Sequence, residues 1–234
     1  MTELLLVRHG QAGFGTDNYD QLSALGAEQA AATGEHLREI GSAPTRTASG
    51  DMVRQRDTAA IANRAQGITH PPQVLPEFNE YDAGGIFDAF LDTVAAKDAQ
   101  VAAQRDALHT DRRVFQRAFE GVMTQWLHDP QPEQRDVESW AQFRDRVVAG
   151  ADALIRATSP GETITLYTSG GVIAVLVGHA LGLDAERTVA LNWRVYNASV
   201  TRLRFGRRTG LNLMGFNAMD HLRLKGGDRF LSFR

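Results

Sequence analysis

The chain of 234 residues contains no cysteine, few prolines and no long apolar run. Without cysteine it cannot form disulfides, use a thiolate nucleophile, or bind zinc or iron–sulfur clusters through sulfur. The apolar run near its start, Leu4–Val7, is too short for a membrane span, and the preceding Glu3 is acidic where a secretory signal is basic. We therefore expect a cytoplasmic protein that has no membrane partner.

The charge balance argues against bulk electrostatic binding of polyanions. Lys and Arg together number 25 against 28 Asp and Glu, so the net charge is −3 at pH 7. Such a chain has no broad positive field with which to hold nucleic acid or an anionic membrane. With 43% hydrophobic residues it is also too apolar to be mainly disordered. Any anion that it binds must lie in a local pocket.

Short apolar strands alternate with helical patterns along most of the chain. Leu4–Val7 and Thr163–Tyr167 have the composition of strands that are buried on both faces. The alternation predicts an α/β fold, a three-layer α/β/α sandwich with a mainly parallel sheet. The other expected elements are helices at about 23–39, 51–64, 140–157 and 170–181, short strands at 45–49 and 73–75, and an edge hairpin of 200–205 and 211–216.

Residues 86–135 interrupt this alternation. The segment is rich in Ala, Gln, Arg and Asp and has apolar residues at helical spacing. It therefore predicts a helical insertion or cap within a single domain of residues 1–234. Its aromatic residues either fill a core or line a pocket, and they include Phe87, Phe90, Phe115 and Trp126.

In such a sheet, ligands bind beyond the carboxyl ends of the strands. Two predicted strands end in unusual residues, the first in Arg8-His9-Gly10-Gln11 and the other in Thr168-Ser169-Gly170-Gly171. The imidazole of His9 is suited to attack a phosphorus atom, with Arg8 neutralising the phosphoryl oxygens and Gly10 allowing the backbone to come close. The alternative is that His9 only ends the strand and donates to a carbonyl.

Four ordered segments resemble the histidine phosphatase superfamily, which includes the cofactor-dependent phosphoglycerate mutases. Arg8-His9-Gly10 resembles the family signature, and Leu22-Ser23-x-Leu25-Gly26-x-x-Gln29-Ala30 resembles its first helix. Asp51-Met52-Val53-Arg54-Gln55-Arg56-Asp57-Thr58-Ala59 is similar to the family's Asp-Leu-x-Arg-Ala-x-x-Thr-Ala motif. Phe78-Asn79-Glu80-Tyr81-Asp82-Ala83-Gly84 is similar to the segment that carries its acidic proton donor. The resemblance covers most of the chain and leaves 86–135 uncovered.

The resemblance implies phosphoryl transfer in two steps. His9 would be the nucleophile, and Arg8 and Arg54 would hold the phosphoryl oxygens. Glu80 would protonate the leaving oxygen and later activate water. Glu77 is the alternative acid, but the spacing within the segment favours Glu80. The implied substrate-binding residues are Gly10, Gln11, Ser169 and Gly170.

The proton-donor role predicts a dependence on pH. Glu80 must be protonated in the first step, so we expect its pKa to be raised by partial burial and by nearby Asp82. Activity would then be lost as the pH rises above that pKa.

The chain departs from the family pattern at residue 169. The family usually has Ser-His-Gly-Gly at this strand end, with the histidine as a phosphate ligand, whereas this chain has Ser169. Hydrogen bonds of charged groups contribute about 1.5–3 kcal/mol against about 1 kcal/mol for neutral pairs, so the expected loss is about tenfold in rate. Imidazole at this position would raise activity if Ser169 is a weakened ligand, and would leave it unchanged or lower it if the pocket is rebuilt around the hydroxyl. Alternatively, Ser169 only caps a helix, or His221 in the polar tail folds back as a substitute.

Three functions remain open on this reasoning. They are hydrolysis of a phosphorylated small molecule, phosphoryl transfer of the phosphoglycerate mutase type, and phosphate or ligand binding with weakened catalysis. No metal-ligand spacing or nucleotide-binding loop is present, so we expect no metal and no cofactor. We also expect no nucleic acid partner, because the chain has no broad positive field. The edge hairpin would allow a homodimer. His179 lies among apolar residues and is expected to be a buried core histidine.

Overall fold

The computed structural model describes residues 2–13, 20–108, 110–206 and 208–233. They form two compact units, of which the first comprises Met1–Glu80 and Arg146–Arg234 and the second Tyr81–Asp145. The strands are β1 (Thr2–Arg8), β2 (Arg46–Ser49), β3 (Gln73–Val74), β4 (Thr163–Thr168), β5 (Val200–Gly206) and β6 (Gly210–Ala218). The helices are α1 (Ala24–Glu39), α2 (Val53–Gln66), α3 (Ala83–Lys97), α4 (Ala99–Ala103), α5 (Arg112–Leu127), α6 (Trp140–Arg156), α7 (Gly170–Leu181), α8 (Ala185–Asn192) and α9 (Asp220–Gly226).

In the described part of the chain, six strands form one sheet in the order β3-β2-β4-β1-β5-β6. The pairs β1/β4, β2/β4 and β2/β3 are parallel, whereas β5 pairs antiparallel with both β1 and β6. This arrangement confirms the predicted α/β sandwich with its mainly parallel sheet and its edge hairpin. In the register of β1 and β4, Arg8 lies opposite Thr168. The two strand ends with unusual residues therefore lie side by side.

The core explains why the first strand is apolar at every position from Leu4 to Val7. Leu5 and Val7 pack in one cluster with Leu37 of α1 and Ala59 of α2. Successive side chains of a strand point to opposite faces. The alternate residues of β1 therefore face the other side of the sheet, where α7 contacts this strand.

Local signals in the sequence set the ends of α1 and α2. The Oγ of Ser23 accepts the N–H of Gly26 at 3.0 Å, which caps α1. α2 ends at Gly67, whose φ of +86° lies in the left-handed region that favours glycine. α2 begins at Val53 and not at 51, because Met52 before it has an extended backbone, with ψ of 142°.

The second unit is helical, and α3 packs against α5. Phe90 and Trp126 are each 2% exposed and belong to its core, whereas Phe115 is 42% exposed. Phe115 stacks with Phe87 and Phe119 at ring-centroid distances of 5.4 and 5.7 Å. The aromatic residues of the segment are thus divided between a core and a partly exposed stack.

The environment of His179 in α7 differs from the one that the sequence predicts. His179 is exposed, so the prediction that it is a core residue is wrong. It lies in the last turn of α7, where the polar side chain projects beyond the buried part of the helix.

Among the described residues, every helix is too short or too polar to span a bilayer.

Candidate active site

His9 lies directly after β1, at the carboxyl edge of the sheet, and is 4% exposed. Its backbone N–H donates to the carbonyl of Thr168 at 2.8 Å, which continues the pairing with β4 by one residue. Its carbonyl accepts from Nδ2 of Asn197 at 3.1 Å and from the backbone N–H of Ala198 at 3.2 Å. The backbone of His9 is therefore fixed from the strands on both sides.

The contacts of the His9 ring define its tautomer. Nδ1 lies 2.7 Å from the carbonyl oxygen of Gly10, which can only accept, so Nδ1 carries the hydrogen. Nε2 then has the lone pair, and Nε of Arg54 donates to it at 3.3 Å. Burial lowers the pKa of His9 well below 6.5, and the charges of Arg8 and Arg54 lower it further, against the opposing hydrogen bond to Gly10. The ring is neutral at physiological pH, with a nucleophilic nitrogen directed at a guanidinium.

Gly10 allows the strand end and α1 to touch. A Cβ at this position would lie 2.2 Å from the carbonyl oxygen of Gly26, so no other residue fits without moving the backbone. The N–H of Gly10 donates to Oγ1 of Thr58 in α2 at 3.0 Å. The glycine of the signature thus connects β1 to two helices and fixes the carbonyl that holds the His9 ring.

Arg54 is placed by the first turn of α2 and is 6% exposed. Its Nη1 lies 2.7 Å from Oδ1 of Asp20, whose other carboxylate oxygen accepts the N–H of Val53 at 2.8 Å. A carboxylate at the start of a helix is favoured by the unpaired amides and by the helix dipole. Asp20 therefore caps α2 and orients the guanidinium that faces His9.

Arg8 is 9% exposed, and backbone carbonyls hold its guanidinium. Nη1 donates to the carbonyl of Val195, and Nη2 donates to that of Phe233 at 3.0 Å. Its charge contributes to the lowered pKa of His9. A permanent positive charge is thus fixed near the ring by the segment before β5 and by the end of the chain.

The second strand end leads into α7. Ser169 is completely buried, and its Oγ accepts from Nε2 of Gln55 at 2.7 Å. Two residues later, the N–H of Gly171 donates to Oε2 of Glu80 at 2.9 Å. A Cβ on Gly170 would lie 2.3 Å from Oδ1 of Asn192, so a larger residue would require the side chain of Asn192 to move. The carboxyl group of Glu80 is therefore held at the positive end of α7, which begins beside His9.

Comparison with known proteins assigns the family. The sequence profile described as Histidine phosphatase superfamily (branch 1) matches residues 4–114 and 108–217. The chain belongs to the histidine phosphatase superfamily. No curated protein matches the chain.

Solved structures share the histidine phosphatase fold at low sequence identity. A mycobacterial glucosyl-3-phosphoglycerate phosphatase is 24% identical with a TM-score of 0.62, over 92% of this chain and 99% of that one. A phosphoglycerate mutase from Bacillus anthracis is 18% identical with a TM-score of 0.62, over 94% of each chain. A phosphoserine phosphatase from Entamoeba histolytica is 17% identical with a TM-score of 0.64, over 95% of this chain and 100% of that one. At these identities the likeness shows the fold alone.

The remaining candidate residues, Gln11, Glu77 and His221, lie in separate parts of the described chain. Oε1 of Gln11 accepts from Oγ of Ser23 at 2.9 Å, so this side chain is tied to the cap of α1. Glu77 is exposed in a short 3₁₀ turn. His221 is in α9, where its ring stacks on His36 at 4.7 Å and contacts Oγ1 of Thr33. His221 therefore contacts α1, whereas Glu80 contacts the start of α7 beside His9.

Sequence reasoning missed two residues of the site, Asp20 and Gln55. Asp20 lies outside every motif segment, and only the fold brings it to α2. Gln55 lies inside the second motif, where the family pattern has Ala, and this departure was the signal that could have identified it. Among the described residues, no cluster of three or more His, Asp or Glu is arranged to hold a metal ion.

Proposed function

We propose that this protein is a phosphomonoester hydrolase that forms a phosphohistidine at His9 while hydrolysing a phosphorylated small molecule. One observation carries the proposal. The buried His9 ring has Nδ1 on the carbonyl of Gly10 and Nε2 at 3.3 Å from Nε of Arg54. This contact supports the proposal, because an arginine beside the lone pair can also bind a phosphoryl oxygen.

In the first step, Nε2 of His9 attacks phosphorus and the bond from phosphorus to the leaving oxygen breaks. Glu80 in its protonated form gives its proton to that oxygen. Positive charge develops on the ring as the N–P bond forms, and the carbonyl of Gly10 stabilises it through the hydrogen on Nδ1. Arg54 and Arg8 neutralise the phosphoryl oxygens.

In the second step, water attacks phosphorus and the N–P bond breaks. Glu80, now ionised, takes a proton from this water and returns to its acid form. The electron pair of the broken bond returns to Nε2, which regenerates the neutral ring and releases inorganic phosphate. The low pKa of His9 favours this return, because the neutral ring is the stable form.

Trapping of the intermediate tests the proposal. The wild-type protein is mixed with a ³²P-labelled phosphomonoester, quenched within milliseconds and analysed for label that is lost in acid and retained in alkali. His9→Asn is expected to abolish the label. His179→Asn, which removes an exposed histidine of α7, is the matched control and is expected to retain it. Absence of label from the wild type with a broad set of phosphorylated metabolites would leave a binding module as the function.

Analysis of the released products separates hydrolysis from phosphoryl transfer of the mutase type. The fold is shared with the phosphoglycerate mutase from Bacillus anthracis, which favours testing 3-phosphoglycerate. Release of inorganic phosphate supports the hydrolase. Formation of 2-phosphoglycerate without release of phosphate supports the mutase.

A further inference from the structure

Gln55 is a buried residue next in sequence to Arg54, which contacts the proposed nucleophile. It follows Arg54 in α2 and is 0% exposed. Its Nε2 donates to the carbonyl of Phe78 at 3.1 Å and to Oγ of Ser169 at 2.7 Å. Since the carbonyl of Phe78 can only accept, the NH₂ group must face it, which fixes the orientation of the amide.

The carbonyl oxygen of the Gln55 side chain is in an unfavourable position. Among the described residues, Oε1 of Gln55 is buried without a hydrogen-bond partner. It lies against Gly50, where a Cβ would be only 1.9 Å away. Burial of an unpaired polar atom is destabilising, so this arrangement calls for a compensating role of the NH₂ group.

Ser169 does not behave as an ordinary helix cap. It precedes α7, yet its side chain makes no capping hydrogen bond to this helix. It follows β4 at the level where His9 follows β1, because Arg8 lies opposite Thr168. Adjacent strands are separated by about 4.8 Å. The Oγ atom accepts from Gln55 and retains its own hydrogen, and a hydroxyl that accepts a hydrogen bond becomes a stronger donor.

We propose that Gln55 is a positioning residue that holds the Ser169 hydroxyl as a neutral donor to the phosphoryl group on His9. This inference rests on the proposed function. The second motif of the histidine phosphatase superfamily has Ala at the position of Gln55. At the position of Ser169 the family usually has His. The amide of Gln55 lies against the hydroxyl at 2.7 Å, so a larger side chain at position 169 would meet Gln55.

The test is a double-mutant cycle with Gln55→Ala, Ser169→His and the combined variant, assayed for hydrolysis of a small phosphomonoester. Ser169→His alone is expected to lose about tenfold or more in kcat/KM, because imidazole enters space that Gln55 occupies. The combined variant is expected to exceed Ser169→His by about tenfold. Effects that simply multiply across the cycle would overturn the proposal.

Inhibition by inorganic phosphate at two pH values tests whether the side chain at position 169 faces the phosphate or only packs against Gln55. Imidazole at 169 in the combined variant adds a group that is charged below its ordinary pKa of about 6.5. Relative to the wild type, the combined variant should therefore be inhibited more strongly by inorganic phosphate at pH 6 than at pH 8. A constant ratio at the two pH values would contradict the inference.

Two controls complete the design. Gln66→Ala removes another buried amide from α2, one that contacts Ser42 away from His9, and it should leave kcat/KM unchanged. Ser169→Thr retains the hydroxyl and should retain most activity, whereas Ser169→Ala should not. Phosphohistidine in the wild type with no coupling between residues 55 and 169 refutes this inference alone. No phosphohistidine in the wild type refutes the proposed function and this inference with it.

Discussion

Oδ1 of Asp20 lies 2.7 Å from Nη1 of Arg54, and the same carboxylate caps the first amides of α2. Arg54 in turn donates to His9 at 3.3 Å. A carboxylate, an arginine and the proposed nucleophile are therefore connected in series. The orientation of the arginine depends on a residue that lies 34 positions earlier in the sequence and outside α2.

Removal of Asp20 should weaken both the fold and the site. Asp20→Ala is expected to cost about 1–2 kcal/mol of stability through the lost cap, and about tenfold in kcat/KM through the loss of a fixed Arg54. Asp20→Asn should retain more stability, because its side-chain oxygen can still accept from the amides. Asp51→Ala breaks an exposed ion pair with Arg56 next to the same helix and should have little effect on either quantity. Higher activity in Asp20→Ala would show instead that the carboxylate competes with the substrate for Arg54.

The ring of His9 should titrate well below pH 6.5, and Arg54→Gln should raise its pKa. The charge of Arg54 disfavours the protonated ring, so its removal favours protonation, while burial still keeps the pKa below 6.5. NMR titration of the His9 Cε1–H signal measures this without requiring activity. Arg56→Gln, in the same helix and exposed, is the control. An unchanged or lower pKa of His9 in Arg54→Gln would contradict the contact between the Arg54 guanidinium and the His9 ring.

His221 should make the protein less stable in acid. Burial, with the nearby His36, lowers the pKa of His221 from 6.5 to about 4. Between these values the unfolded chain binds the proton and the folded chain does not, so stability is complete above about pH 6.5 and is lost as the pH falls toward 4. The contribution is about 3 kcal/mol at most. Denaturant unfolding of His221→Gln between pH 7 and 4.5 should show a smaller loss than the wild type, whereas His70→Gln, at an exposed site, should lose as much as the wild type.

Gly10→Ala should destabilise the protein and abolish the proposed activity. The added Cβ would lie 2.2 Å from the carbonyl oxygen of Gly26, so β1 and α1 must separate. Such overpacking costs about 1–3 kcal/mol. Gly215→Ala in β6, where a Cβ meets no atom within 4 Å, should change the midpoint of thermal unfolding very little. Equal unfolding midpoints for the two variants would show that the contact with Gly26 is not tight.

Much of the fold was predictable because its signals are local. The apolar run Leu4–Val7, the cap Ser23 and the terminator Gly67 each act on neighbouring residues, and the structure places β1, α1 and α2 accordingly. The prediction for His179 failed because the apolar residues around it do not reveal that it lies in the last exposed turn of α7. Periodicity indicates which face of a helix is buried but not how far along its length that burial extends.

Local sequence signals specify the strands, most helix ends and the order of the motif residues, since propensity, capping and side-chain alternation operate over a few residues. Which charged groups meet depends on the folded chain. It brought Asp20 to Arg54, fixed the tautomer of His9 through Gly10 and placed Gln55 against Ser169. The contacts of Arg54 with Asp20 and of Gln55 with Ser169 join residues that are 34 and 114 positions apart in sequence, so local propensity cannot set their distances.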